Sequence, residues 1–369
     1  MKRVAIITIT RGQNYGNRLQ NYAVQTVLEK LGFEPYTIHN NDGSNFNFKE
    51  ILKSILKRTI FYFKYKDLFK RIKKFNDFNS RYIKFDKIKI NNDIMQKSKI
   101  KNSLLSKYDF WIAGSDQIWN LNYPENNIVN FLGFVHEKNK KISFSASFGT
   151  TNIPEKIDCN IKEWLNDINY ISVREYAGCN IVKKLTGRED SEVLIDPTLM
   201  LESSYWKDLS KKPKEKIPKK YILNYFLGDL SESRKKIIEK FAIDNHCEII
   251  NLLDINSKFY NCDPCEFLYL EENAFLICTD SFHSSVFSFL FDRPFVIFER
   301  EDGVVSMNSR IETLIDTFQL KDRKFCNSIT NSNLNHNYEK SYIILKKERE
   351  KGIQFLNKSL RINIDKEMN

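Results

Sequence analysis

Short apolar runs, each closed by a polar corner and followed by a helical stretch, recur along most of this chain. That alternation restricts the fold more than any other feature. Val4-Ala5-Ile6-Ile7-Thr8-Ile9 is continuously apolar rather than alternating, as expected of a strand buried on both faces. The polar loop Thr10–Asn17 follows it. Leu19, Tyr22, Ala23, Thr26, Val27 and Leu31 then share one side of a helix that Gly32 closes, and Phe33–Ile38 resumes as a strand. This βαβ opening predicts a parallel sheet. Further strands are predicted at Tyr108–Ala113, Lys141–Gly149, Tyr170–Glu175 and Glu192–Ile195, with a helix running from Glu175 to Leu185.

Asp196-Pro197 breaks this pattern, and the charged stretch Lys211–Lys220 reads as a linker or surface loop. A second series begins beyond it. Strands are predicted at Tyr221–Phe226, Cys247–Leu252, Phe275–Thr279 and Phe295–Phe298. Helices are predicted at Ser231–Asn245, Pro264–Glu272, Ser281–Phe291 and Met307–Phe318, with a helical tail over Tyr338–Leu360. The fold class is therefore α/β, with two Rossmann-like domains and a C-terminal helix. The expected boundaries are 1–196, 197–335 and 336–369, with a ligand cleft where the carboxyl edges of the two sheets face each other. A length of 369 residues with 41% hydrophobic content supports two cores of ordinary size.

Charge narrows the partners. The formal net charge of +11 invites an anionic partner, although Lys, Asn and Ile are abundant throughout, as a compositional bias would produce. Residues 46–107 interleave Lys53, Lys57, Lys66, Lys70, Arg71, Lys73 and Lys74 with Ile51, Leu52, Leu68, Phe69, Ile72 and Phe75. The spacing reads as one or two basic amphipathic helices inserted into the first domain. They form either a solvated face or a patch for peripheral contact with an anionic membrane. Nucleic acid is excluded as a partner, because no helix-turn-helix, zinc or aromatic-platform motif accompanies the charge.

Seven scattered cysteines, an odd number, point to a reduced compartment. Cys262-Asp263-Pro264-Cys265 has no second pair and no His at ligand spacing, so no metal site is expected. Val4–Ile9 is too brief for a signal peptide, and Asp292-Arg293-Pro294 interrupts the apolar stretch Phe287–Phe298. A cytoplasmic protein, peripheral at the inner membrane face, is the expected localisation.

The corners carry the chemistry. Thr279–Ser285 places an acid (Asp280), hydroxyls (Ser281 and Ser284) and an imidazole (His283) between a strand and a helix start, where free N–H groups favour an anion. Gly16 and Asn17, in the first βα loop, let N–H groups face an anion, or simply form a turn. Ser115-Asp116-Gln117 offers Asp116 as a general base, or as a helix cap. Arg174 ends a strand, where its guanidinium either grips a carboxylate or phosphate or pairs with Glu175 or another acid. Arg300 and Arg310 are similar candidates.

Taken in order, these motifs resemble the polysaccharide pyruvyl transferase family. The resemblance rests on Asn14–Ala23, Ala113–Asn120, Ser145–Gly149, Ile171–Glu175, Asp196-Pro197-Thr198, Pro264–Phe267 and Thr279–His283, and spans roughly residues 4–320. It implies a GT-B-like fold and transfer of the enolpyruvyl group of phosphoenolpyruvate onto a sugar of a polysaccharide or lipid-linked glycan precursor. A pyruvate ketal forms, phosphate is released, and no cofactor is needed beyond phosphoenolpyruvate as co-substrate. The resemblance also implies a catalytic role for His283 and substrate binding by Arg174. Asp116 or Asp280 would receive the proton of the sugar hydroxyl. Two departures from the family pattern are Ser284-Ser285, where many members carry Gly, and Ser281, where some carry Arg; Arg300 or Arg310 would then contact the anion. The alternatives are a nucleotide-sugar glycosyltransferase on the same fold and a non-catalytic protein that binds glycan or membrane surfaces.

Overall fold

The computed structural model describes residues 1–40, 58–91, 102–122, 127–301 and 309–362. Of the basic segment 46–107, residues 46–57 and 92–101 lie outside these, as do Gly303 and the residues Met307 and Asn308 that open the expected Met307–Phe318 helix.

Seven parallel strands form the first sheet: β1 (Arg3–Ile7), β2 (Glu34–Asn40), β3 (Phe85–Ile90), β4 (Phe110–Ala113), β5 (Lys141–Ala146), β6 (Tyr170–Val173) and β7 (Glu192–Val193). Their order is β3-β2-β1-β4-β5-β6-β7, so the chain reverses its direction of travel between β1 and β4. The crevice at such a switch point is where open α/β sheets bind ligands. Four more parallel strands form the second sheet: β8 (Tyr221–Tyr225), β9 (Glu248–Asn251), β10 (Leu276–Thr279) and β11 (Phe295–Ile297). Their order is β11-β10-β8-β9, with a switch point between β8 and β10.

Helices that bear on the site are α1 (Tyr15–Lys30), α2 (Arg58–Tyr82), α3 (Pro264–Asn273), α4 (Phe282–Leu290), α5 (Ser309–Phe318) and α6 (Glu339–Ser359). The described part of the basic insertion holds one long helix, α2, followed by the edge strand β3. One of its residues is corrected. Arg71 of α2, read as part of a basic face, is buried. It donates to the Tyr15 hydroxyl (2.8 Å) and to the carbonyls of Gln13 and Tyr260, and its guanidinium lies over the rings of Tyr15, Phe75 and Tyr260.

β1 divides its side chains between two cores. Ala5 and Ile7 pack with Trp111, Trp119 and Ile171 on one face of the sheet. Val4 and Ile6 belong to a cluster that continues through Tyr15 and Leu19 into Tyr225, Phe267 and Phe287 of the second lobe. Tyr15 stacks on Phe267 with ring centroids 4.5 Å apart, and its hydroxyl donates to the Cys262 carbonyl. Helix α6 returns to the edge of the first sheet, where Lys351 donates to the carbonyl of Val193 in β7, and Arg349 donates to the carbonyls of Leu199 and Leu201 just beyond it. Apolar packing and these hydrogen bonds hold the carboxyl edges of the two sheets against each other.

Candidate functional site

His283 is the second residue of α4, which starts where β10 ends. Ser281 caps this helix, its Oγ accepting from the Ser284 N–H. Opposite stands the start of α1, capped by Asn14, whose Oδ1 accepts from the Asn17 N–H (3.2 Å). The imidazole lies directly on Gly16 of α1. A Cβ at position 16 would come within 2.0 Å of His283 Nδ1, so only glycine lets the two helix starts meet this closely. Two helix N-termini, each with a partial positive charge, thus converge on one imidazole.

Asp196 joins the lobes chemically. Arg174 Nη1 donates to its Oδ2 (2.5 Å), Ser115 Oγ donates to the same oxygen (2.8 Å), and His283 Nε2 lies 3.7 Å from it. Thr198 satisfies Oδ1 through its N–H and hydroxyl. Burial alone would push the Asp196 carboxyl up. The Arg174 guanidinium and the neighbouring His283 ring outweigh burial and hold the carboxyl well below the usual carboxylate range.

Asp116 sits in a left-handed conformation (φ 71°), unusual for a residue with a side chain. Its Oδ1 accepts from the Gln117 N–H and lies 3.6 Å from Arg174 Nη2 and 3.9 Å from Arg310 Nη1. With its amide oxygen turned toward α5, Gln117 accepts from Arg310. The Gln117 side chain also packs on Gly149, whose φ of 65° and lack of a Cβ both make glycine necessary there. Glu175 fixes that corner by accepting from Ser147 Oγ and from the N–H groups of Phe148 and Gly149.

The positive charge is only partly answered. Both Arg174 and Arg310 face the Phe282 ring, at 4.6 and 6.0 Å from its centroid. Burial and the nearby Arg174 push the Arg310 guanidinium down to about 10, with Asp116 partly offsetting them. Arg174 Nε and Nη2, Arg310 Nε and His283 Nε2 are buried without a hydrogen-bond partner. Such unmet donors in a dry site await an acceptor. A cavity of about 50 Å³ adjoins Arg174, Asp196, Phe282 and Arg310.

The structure brings His283, Arg174, Asp116, Ser115, Gln117, Gly16 and Arg310 together, with Asn17 at the edge of the group. Three other predicted residues face elsewhere. Asp280 accepts from the N–H groups of Leu227 (2.7 Å) and Gly228 (2.8 Å) and pairs with Arg300 at 3.1 Å, so its carboxylate pins the loop after β8. Arg300 is committed to that same pair. Ser284 turns its hydroxyl into the second lobe, onto Glu271 Oε1 (2.5 Å).

Sequence reasoning missed Asp196 as a site residue. It also missed Arg18, buried in α1, which donates to the carbonyls of Arg11 and Gly12 and is pushed down to about 10 by burial. The signal for Asp196 was present in its Asp-Pro-Thr motif, but that motif reads equally well as a break.

A family model described as polysaccharide pyruvyl transferase matches residues 14–302, most of the chain. The chain belongs to the polysaccharide pyruvyl transferase family. This family is one of transferases. No curated protein matches the sequence. Among solved structures, this pyruvyl transferase family member is similar to the Staphylococcus aureus MnaA–UDP structure, with a TM-score of 0.54, 10% identity and all of both chains covered. It is also similar to the UDP-GlcNAc 2-epimerase from Neisseria meningitidis bound to UDP-GlcNAc, with a TM-score of 0.51 and 14% identity. That match covers 97% of this chain and 94% of the other. These likenesses establish a GT-B-like fold for the family member.

Proposed function

We propose that this protein transfers the enolpyruvyl group of phosphoenolpyruvate onto a sugar of a polysaccharide or lipid-linked glycan precursor, forming a pyruvate ketal and releasing phosphate. One observation carries the reading. Two guanidiniums and one imidazole, with unmet N–H donors, converge at the meeting point of two helix N-termini. A small donor bearing both a carboxylate and a phosphate supplies the acceptors that such a site lacks.

The chemistry assigns each group a task. His283 as imidazolium protonates the methylene carbon, leaving an oxocarbenium-like centre at the neighbouring carbon. A first sugar hydroxyl attacks there and loses its proton to Asp116, whose carboxylate accepts from the Gln117 N–H and lies beside Arg174 and Arg310. Phosphate departs with its oxygen, taking the proton held by Asp116, and a second hydroxyl closes the ketal as its proton restores the His283 imidazolium. Arg174 and Arg310 hold the anionic groups. The donor is larger than the cavity of about 50 Å³ beside them, so its entry displaces the Arg174–Asp196 pair or parts the lobes.

The test is incubation with phosphoenolpyruvate and candidate acceptor glycans, followed by mass spectrometry. Pyruvylated glycan from the wild type and none from His283→Ala or Arg174→Ala is the expected result. Full activity in both variants overturns the assignment.

Among the described residues no helix is long and apolar enough to cross a membrane. Lys66, Phe69, Lys70 and Lys73 are exposed at helical spacing on α2, which supports a peripheral contact with anionic lipid.

A further inference from the structure

A cavity of about 440 Å³ opens at the carboxyl ends of β8 and β9, outside the donor cluster. It occupies the same sheet edge as His283. The ends of β9 and β10 are two strand spacings apart, about 10 Å. Its wall is fixed, because Asp280 ties down the N–H groups of Leu227 and Gly228 in the loop after β8. The volume falls within the range of small-molecule sites.

The lining identifies the kind of ligand. Asn224, 8% exposed, donates Nδ2 to Asn251 Oδ1 (2.9 Å), while its own Oδ1 is buried without a partner. That oxygen wants a donor. Asp229, Glu239 and Asp254 line the opening together with Lys235, whose ammonium is paired with Glu232 at 2.6 Å. Phe226, Leu230 and Leu253, each partly exposed, supply apolar surface. Carboxylates and amide oxygens accept hydrogen bonds from hydroxyls, and apolar side chains pack on the carbon faces of a sugar ring. A diphosphate brings only acceptors and negative charge to a rim that already carries three carboxylates.

We infer that this cavity is a subsite for an uncharged sugar residue of the acceptor glycan, beyond the sugar that receives the pyruvyl group. The inference rests on the pyruvyl-transfer reading for the identity of the acceptor. It makes the acceptor at least a disaccharide, held by Asn224, Asn251 and Asp254 on one side while the reacting hydroxyls reach His283 on the other.

Binding of labelled protein to an array of neutral and anionic oligosaccharides tests this without turnover. The wild type should bind some neutral glycans of two or more sugars, without phosphoenolpyruvate. Asp254→Ala, at an exposed position, and Asn224→Ala should each weaken that binding about tenfold. Arg174→Ala should retain it. A thermal melt identifies any variant that fails to fold, and Asp254→Ala alone then carries the result. No binding to neutral glycans, or binding unchanged in folded Asp254→Ala, overturns the subsite. Glycan binding that depends on Asp254, without any pyruvyl transfer, leaves the subsite standing and overturns the donor instead.

Discussion

Gly16 holds its place for want of a single methyl group. A Cβ there would overlap the His283 ring, so Gly16→Ala must move either the imidazole or the start of α1. Overpacking of this kind costs about 1–3 kcal/mol of stability. A displaced general acid lowers turnover about 100-fold. Turnover and a thermal melt on the same preparation check this. Activity within a few-fold of the wild type would show that the contact is incidental. At this scale the sequence displayed His283 and Arg174 because each sits at an evident strand end beside apolar runs. Asp196 was hidden, because the strand before it, Glu192–Val193, is two residues long and its Asp-Pro pair looks like a boundary. Asp280 looked catalytic and Arg300 anion-binding from their positions, and only the fold reveals that they pair with each other while Asp280 holds the Leu227–Gly228 loop.

Helix α3 supports α4 from below through one carboxyl group. Glu271 is fully buried and accepts from Ser284 Oγ (2.5 Å) and Ser288 Oγ (3.3 Å). Burial pushes it up to about 8, with the two hydroxyls partly offsetting that effect. The folded state therefore holds a proton that the unfolded chain releases near pH 4, and stability falls as pH rises from there through about 8. Glu271→Gln has no proton to lose. Its melting temperature relative to the wild type should rise between pH 5 and pH 8, by an amount on the order of 1–4 kcal/mol in stability. An unchanged difference across that range would contradict a protonated Glu271.

Elements were unequally legible for a related reason. Central strands such as β1 and β10 read clearly because burial on both faces demands continuous apolar runs. The edge strand β3, Phe85-Asp86-Lys87-Ile88-Lys89-Ile90, carries the lysines that protect an open edge, and these merged with the basic helix before it. Arg71 was read with the exposed lysines of α2, since no sequence pattern announces a guanidinium that will lie buried on aromatic rings. On the proposed peripheral reading, the exposed Lys66–Lys73 face of α2 is what meets anionic vesicles. Co-sedimentation at low salt, lost as salt rises, is expected. No pelleting at low salt would remove that role.

Across the whole molecule, one apolar cluster runs from β1 through α1 into α3, α4 and α6 and is shared by both sheets, while each sheet keeps a further cluster on its other face. Calorimetry should record a single cooperative transition, and two resolved peaks would show that the lobes unfold independently. The same continuity explains how a buried site forms where the sheet edges meet, with Arg174 and Asp196 from the first lobe and His283 from the second. On the proposed function, this junction binds phosphoenolpyruvate. Calorimetric titration of the wild type, Arg174→Ala and Arg310→Ala with phosphoenolpyruvate, and of the wild type with UDP-GlcNAc, tests it most directly. Phosphoenolpyruvate should bind the wild type, each variant should lose about 10- to 100-fold in affinity, and UDP-GlcNAc should not bind. Binding of UDP-GlcNAc with no heat from phosphoenolpyruvate would contradict it.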